Sequence, residues 1–247
     1  MNLTALLSPN ILGLIFVLIF FLLIVIFALL GRNRAGRSLR EIAAFERLSR
    51  SIGLAVEAGS RLHISLGWGS VYGLRGMSGL TGLSVLERIA RQAAVSDRPP
   101  IASAGNAELA LMARDIQQAA GQPGRESAQL TGVTAFSYAA GVLPIVSDED
   151  VSAQLLAGHF GSEAALIASA AEERGALTVA GSDNLAGQAV LYAAAGEPLI
   201  GEELYASGAY LGAGLFHSAS LRVQDVLRWL LVLGILAGAV LKLLGVL

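Results

Sequence analysis

The chain has 247 residues, 54% apolar and 15% charged, with 29 glycines, no cysteine and a formal net charge of −2. Soluble domains carry about 25% charged residues, so this composition excludes an ordinary soluble protein as well as disordered, collagenous and disulfide-stapled chains. The mean hydropathy of +0.64 then asks where the apolar excess sits.

It sits at the two ends. Residues 11–30 contain neither charge nor proline, and at about 1.5 Å per residue they cross a hydrocarbon core of about 30 Å. Ser8 is placed to cap this helix and Pro9 to open it. No basic residue precedes the run and no small-x-small site follows it, which favours an anchor over a cleaved signal peptide. We therefore assign residues 1–31 to a first transmembrane helix. Residues 32–40 form a basic linker with Arg32, Arg34, Arg37 and Arg40. Arginines at this flank predict that the following segment is cytoplasmic.

Residues 41–225 read as one α/β domain, with 11 arginines against 19 acidic residues. Its net negative charge argues against nucleic acid as a partner, since phosphate binding needs a basic stripe. A helix is expected over 42–58, with Phe45, Leu48, Ile52 and Val56 as apolar positions. Leu62–Leu66 reads as the first strand, followed by a loop containing Gly67, Gly69 and Gly73 and by a helix over 81–94. A second strand runs from Pro99 and Pro100 through Ala102, and Asn106 caps the next helix. The third unit is a strand over 129–133 and a helix over 136–145; Asp148, Glu149 and Asp150 then make a charged turn, more often solvated than cation-binding. The fourth strand covers 152–157, with Ser162 capping a helix over 163–173, and the fifth covers 177–180, before a helix over 185–195. A last helix starts near Glu202 and is expected to run toward the membrane.

Short strands without a polar face, alternating with helices, indicate a parallel sheet covered on both sides. The expected fold class is α/β, a three-layer Rossmann-like domain with a mostly parallel sheet of about five strands, flanked by two transmembrane helices. The second span is placed at 226–247, where Arg228 and Lys242 can snorkel and Trp229 can anchor at an interface. With the basic linker, this gives a bitopic hairpin in the cell membrane, both termini outside and the central domain in the cytoplasm.

The stretches HISLGWG (63–69), TGLSVLERIARQA (81–93), PPIASAGN (99–106), SYAAGV (137–142), GHFGSEAALIA (158–168) and VLYAAAGEPLIGEELYASGAYL (190–211) resemble an uncharacterised family of bacterial membrane proteins. That family has an α/β module between hydrophobic ends. The resemblance covers most of residues 40–215 and implies the fold and an anchored location, with no activity to carry over. Tyr72, Arg75 and Met77 match no pattern in it.

In such a sheet, ligands sit at the carboxyl ends of the strands. The turns there supply Gly67, Gly69, Gly73, Asn106, His159, Ser162 and Asp183 as candidate ligand-binding residues. Backbone N–H groups at these turns could hold a small phosphorylated or acidic ligand, although glycine also serves tight turns and close packing. His159 is the best general-base candidate; His63, inside a strand, reads as a neutral, hydrogen-bonded core residue, and His217 is expected at the membrane surface. Asp183 either caps its helix or faces a ligand, and adjacent Glu202 and Glu203 cannot act as a facing pair. No catalytic set, metal site or cofactor is expected. Gly234 and Gly238 form a G-x-x-x-G spacing suited to close helix packing, with the first span or with another copy.

These features favour a non-enzymatic homo-oligomer in the lipid bilayer, with a structural, scaffolding or ligand-sensing role at the cytoplasmic face. The alternatives are a nucleotide- or phospho-ligand-binding enzyme or sensor and an accessory subunit of a larger membrane complex.

Overall fold

The structure is a computed structural model that describes residues 9–31, 39–73, 76–122 and 127–245. Ser8, Arg32, Arg34, Arg37 and Arg75, which entered the sequence reading, lie outside these residues. The chain divides into two compact units, one being Arg40–Ala213 and the other containing both terminal helices.

The terminal unit holds α1 (Pro9–Gly31), which pairs with a helix near the other end of the chain, described last. The α/β unit opens with α2 (Ala43–Ala58), whose buried face is Phe45, Leu48, Ile52 and Ala55. This is the 3.6-residue spacing of an amphipathic helix, and the helix stops at Gly59 in a left-handed conformation. Then follow β1 (Arg61–Gly67), α3 (Gly76–Gln92), β2 (Ile101–Ala104) and α4 (Ala107–Ala119). The second half consists of β3 (Ala128–Leu130), α5 (Ala135–Asp148), β4 (Val151–His159), α6 (Ala164–Glu173), β5 (Leu177–Ser182), α7 (Leu185–Ala194), β6 (Glu197–Leu199) and α8 (Glu203–Tyr210).

The strands form one sheet in the order β3-β2-β1-β4-β5-β6, and every neighbouring pair is parallel. The chain builds outward from β1 to β3, crosses back to β4 beside β1, and builds outward again. The order therefore reverses between β1 and β4, the switch point where open parallel sheets place a crevice at the carboxyl ends of the strands. Six strands replace the expected five. The added β6 is three residues long and contains Pro198, which an edge strand tolerates because its N–H need not join a ladder.

The two faces of the sheet differ in chemistry. One packs α2, α3, α4 and α8 against the apolar strand residues Leu62, Ile64, Leu66, Leu155 and Val179. The other, under α5, α6 and α7, buries His63, Ser65, Ser103, Gln154 and Thr178 among its strand residues. This corrects the expectation of strands without a polar face.

Two further expectations change. Ser162 does not cap α6: that helix begins at Ala164 with Glu163 as its flanking residue and no side-chain cap. The helix near Glu202 does not run on, because α8 ends at Tyr210 and left-handed Gly212 follows. The second apolar helix, α9 (Leu215–Leu243), is 29 residues long and starts 11 positions before the expected Val226. Both α1 and α9 are long and apolar enough to cross a membrane.

Candidate functional site

The crevice is shaped by a close approach of two backbones. In the β1/β4 ladder, Ser65 faces Leu156 but Gly67 faces His159, so β4 carries an extra residue here. Such a bulge re-aims the side chains beyond it. It needs two glycines. A Cβ on Gly158 would lie 2.0 Å from the Leu66 carbonyl oxygen, and Gly67 takes φ +75° with its Cβ direction 2.5 Å from the His159 oxygen. Beyond the bulge, the Trp68 N–H donates to the His159 carbonyl at 3.2 Å, and the two side chains meet over the crevice.

There His159 and Asp183 pair, with Nδ1 2.6 Å from Oδ1. A carboxylate only accepts, so Nδ1 carries the proton and, in the neutral ring, Nε2 holds a lone pair. Asp183 also accepts from Ser78 Oγ at 3.1 Å through its other oxygen. This hydroxyl touches the carboxylate rather than the imidazole, so the three residues are not a nucleophile-base-acid relay. Asp183 is not a helix cap; Asn184 takes that place by accepting from the Ala186 N–H, as Asn106 does for α4. Partial burial first, and the Asp183 carboxylate second, hold the Tyr205 phenol above its ordinary pKa.

Trp68 joins the pair to a second acid. Its ring makes a T-shaped contact with His159, centroids 4.9 Å apart and planes inclined by 71°, and its Nε1–H donates to Glu163 Oε1 at 2.7 Å. The same oxygen accepts the Gly161 N–H at 2.7 Å. Glu163 is 1% exposed and His159 6%, yet Glu163 Oε2 and His159 Nε2 have no hydrogen-bond partner among the described residues. Neither atom is among the buried polar atoms sealed off without a partner, so both keep some access to solvent.

Backbone donors at the strand ends are engaged within the protein. Gly67 N–H goes to Tyr138 Oη, Phe160 N–H to Ser182 Oγ, Gly105 N–H to the Gly67 carbonyl and Asn184 N–H to Ser182 Oγ. A phosphate held by these amides would have to displace each partner.

Behind Gly67 lies the polar network of the sheet. Tyr138 Oη is 2.5 Å from Ser65 Oγ and 2.9 Å from Ser103 Oγ, and Ser103 is 2.9 Å from His63 Nε2. His63 Nδ1 faces Gln154 Oε1 at 3.3 Å, and the Gln154 amide donates to Thr178 Oγ1 at 3.1 Å. Burial pushes the His63 imidazole down to about 4 against its Gln154 bond, and the Tyr138 phenol up to about 12 against its hydroxyl partners. His63 is thus a neutral, hydrogen-bonded core residue.

The structure brings Gly67, His159 and Asp183 together and places Asn106 in a cap. Gly73 is exposed and Gly69 buried in the loop after β1, and Ser162 is exposed beside the crevice. Glu149 and Asp150 of the charged turn pair with Arg61 and Arg98. Sequence reading missed Trp68, Ser78 and Glu163 as site residues. A large aromatic between Gly67 and Gly69, directly after a strand, was the available signal for Trp68; Ser78 and Glu163 offered none. Among the described residues, no group of three or more His, Asp or Glu side chains could hold a metal ion.

The chain belongs to the family described as domain of unknown function DUF6754, whose model matches residues 5–247. The match takes in both apolar helices as well as the α/β unit. No curated protein and no solved structure matches the chain.

Proposed function

We propose that the protein is a membrane-anchored, ligand-sensing module whose site is the crevice between β1 and β4. The observation that carries this reading is the pair of open polar atoms, His159 Nε2 and Glu163 Oε2, on side chains over nine-tenths buried. Water can serve both atoms while the site is empty, and a ligand that reaches them would take over those hydrogen bonds. Among the described residues no hydroxyl lies on Nε2 to be activated, which favours binding over nucleophilic catalysis. Helices α1 and α9 would anchor the module as a hairpin, with the arginines after α1 holding it at the cytoplasmic face. The test is thermal unfolding of the full chain in mild detergent across a metabolite library. A ligand at about 100 times its Kd should stabilise by about 2.7 kcal/mol, roughly 5–10 °C for a domain of this size. The shift should vanish in His159→Asn, and a midpoint that no compound moves would sink the reading.

The module is proposed to act as a homo-oligomer. Gly234 and Gly238 lie on one helix face, and a Cβ at either would meet nothing within 4 Å although α1 packs on the same helix. That open face suits close approach of a second copy. Native mass spectrometry in mild detergent should show a dimer or higher oligomer that Gly238→Ile dissociates; a clean monomer for the unaltered chain would refute it.

A further inference from the structure

The polar atoms that the crevice leaves open indicate which chemistry would fill it. Glu163 Oε2 is a carboxylate oxygen, and in the neutral imidazole the Asp183 bond leaves His159 Nε2 an acceptor. Four donors beside these atoms are already committed: Trp68 Nε1–H and Gly161 N–H to Glu163, Gly67 N–H to Tyr138, and Ser78 Oγ–H to Asp183. Charge points the same way. Glu163 and Asp183 are both largely buried, and no described arginine or lysine pairs with either. The only lysine in the chain is Lys242, in α9. Two carboxylates drawn out of water beside a single imidazole favour an incoming positive charge and disfavour an anion. The third element is the half-buried indole of Trp68, in contact with both Glu163 and His159, an aromatic ring that attracts a cation.

We infer that the crevice takes a small organic ligand bearing a protonated amine, its ammonium donating to Glu163 Oε2 and His159 Nε2 against the Trp68 ring. This rests on the proposed sensing site and names the ligand class for it. It also turns away from the phosphorylated or acidic ligand expected from the glycine turns. Glu163→Gln is the informative variant, because the amide oxygen keeps the bonds from Trp68 and Gly161 while the charge is lost.

The experiment is tryptophan fluorescence of the full chain in detergent, carrying Trp229→Phe so that Trp68 is the sole reporter. The probes are putrescine and ethanolamine, with glycerol, acetate and inorganic phosphate as comparators. Both amines should shift the Trp68 emission saturably, and Glu163→Gln should weaken their apparent affinity about tenfold or more, as expected for a charge-assisted hydrogen bond. If Glu163→Gln does not fold, Asp183→Asn tests the same loss of charge. An amine response unchanged in the variant overturns the inference. A saturable response to acetate, phosphate or glycerol that His159→Asn abolishes also overturns it while leaving the site standing. Silence to every probe overturns the ligand class, whereas the sensing site falls only if no compound of the metabolite library moves the unfolding midpoint.

Discussion

Gly158→Ala is expected to abolish the fold of the α/β unit, or to lower its unfolding midpoint by roughly 10 °C or more. The added Cβ would lie 2.0 Å from the Leu66 carbonyl oxygen, 2.4 Å from its carbon and 2.9 Å from the Gly67 nitrogen. All three are backbone atoms of the neighbouring strand, so no side-chain rotation relieves the overlap. The strand pair must separate where it is hydrogen-bonded on both sides, by Ser65 facing Leu156 and Gly67 facing His159. Overpacking among movable side chains costs about 1–3 kcal/mol, and a clash with fixed backbone belongs to the rare class above about 4. That approaches the whole stability of a domain, about 5–15 kcal/mol. Gly53 supplies the control of opposite sign. It is exposed in the middle of α2 with nothing within 4 Å of a Cβ, so Gly53→Ala should stabilise by up to about 1 kcal/mol through helix propensity. Thermal unfolding of both variants in the same detergent reads the contrast, and a Gly158→Ala chain that melts with the unaltered protein would refute the backbone contact.

The same glycines mark how far the sequence could be read. Layer architecture was legible because it follows from periodicity: the α2 stripe of Phe45, Leu48 and Ile52 and the apolar core of β4 each declare their element within a few residues. What was not legible depends on register between distant strands. His63, Ser65, Ser103 and Gln154 look like scattered polar interruptions along the chain. Only the pairings His63 with Gln154 and Ser65 with Ser103 align them on one face, where Tyr138 can close the network. Asp183 and Asn184 are adjacent and both are good caps, so local rules could not say which one turns toward His159. Glu163 read as the opening of a helix, whereas its carboxylate reaches Trp68, 95 positions earlier in the chain. Edge strand β6 is too short for any period and carries Pro198.

Lowering the pH should destabilise the α/β unit through His63 alone by about 3 kcal/mol, and the sign follows from its buried state. Burial holds the folded imidazole at about 4, against 6.5 for the solvated imidazole of the unfolded chain. Between these values the unfolded state binds the proton and the folded state does not, so stability falls as pH falls. The contribution is fully present above about 6.5, is lost progressively toward 4 and changes no further below that. The hydrogen-bond pattern explains why the neutral form is held. The Gln154 amide donates to Thr178, which turns its oxygen to His63 Nδ1–H and leaves Nε2 as an acceptor for the Ser103 hydroxyl. Ser103 in turn accepts from Tyr138, and Tyr138 accepts from Ser65 and from the Gly67 N–H. The network therefore has one direction, and a proton on Nε2 would face the Ser103 O–H and force it to reverse. Full desolvation adds to this, because no acid lies among the partners of His63 to compensate a charge. The check is the unfolding midpoint of the full chain from pH 7.5 to 4, beside His63→Gln, which keeps polarity but does not titrate. The carboxylates contribute to both profiles, so His63 is read from their difference: the unaltered protein should lose roughly 10 °C more than the variant across this window. Parallel profiles would show that the buried imidazole does not titrate there. A difference confined to the window would place the proton on the residue whose network reaches Gly67, at the floor of the crevice.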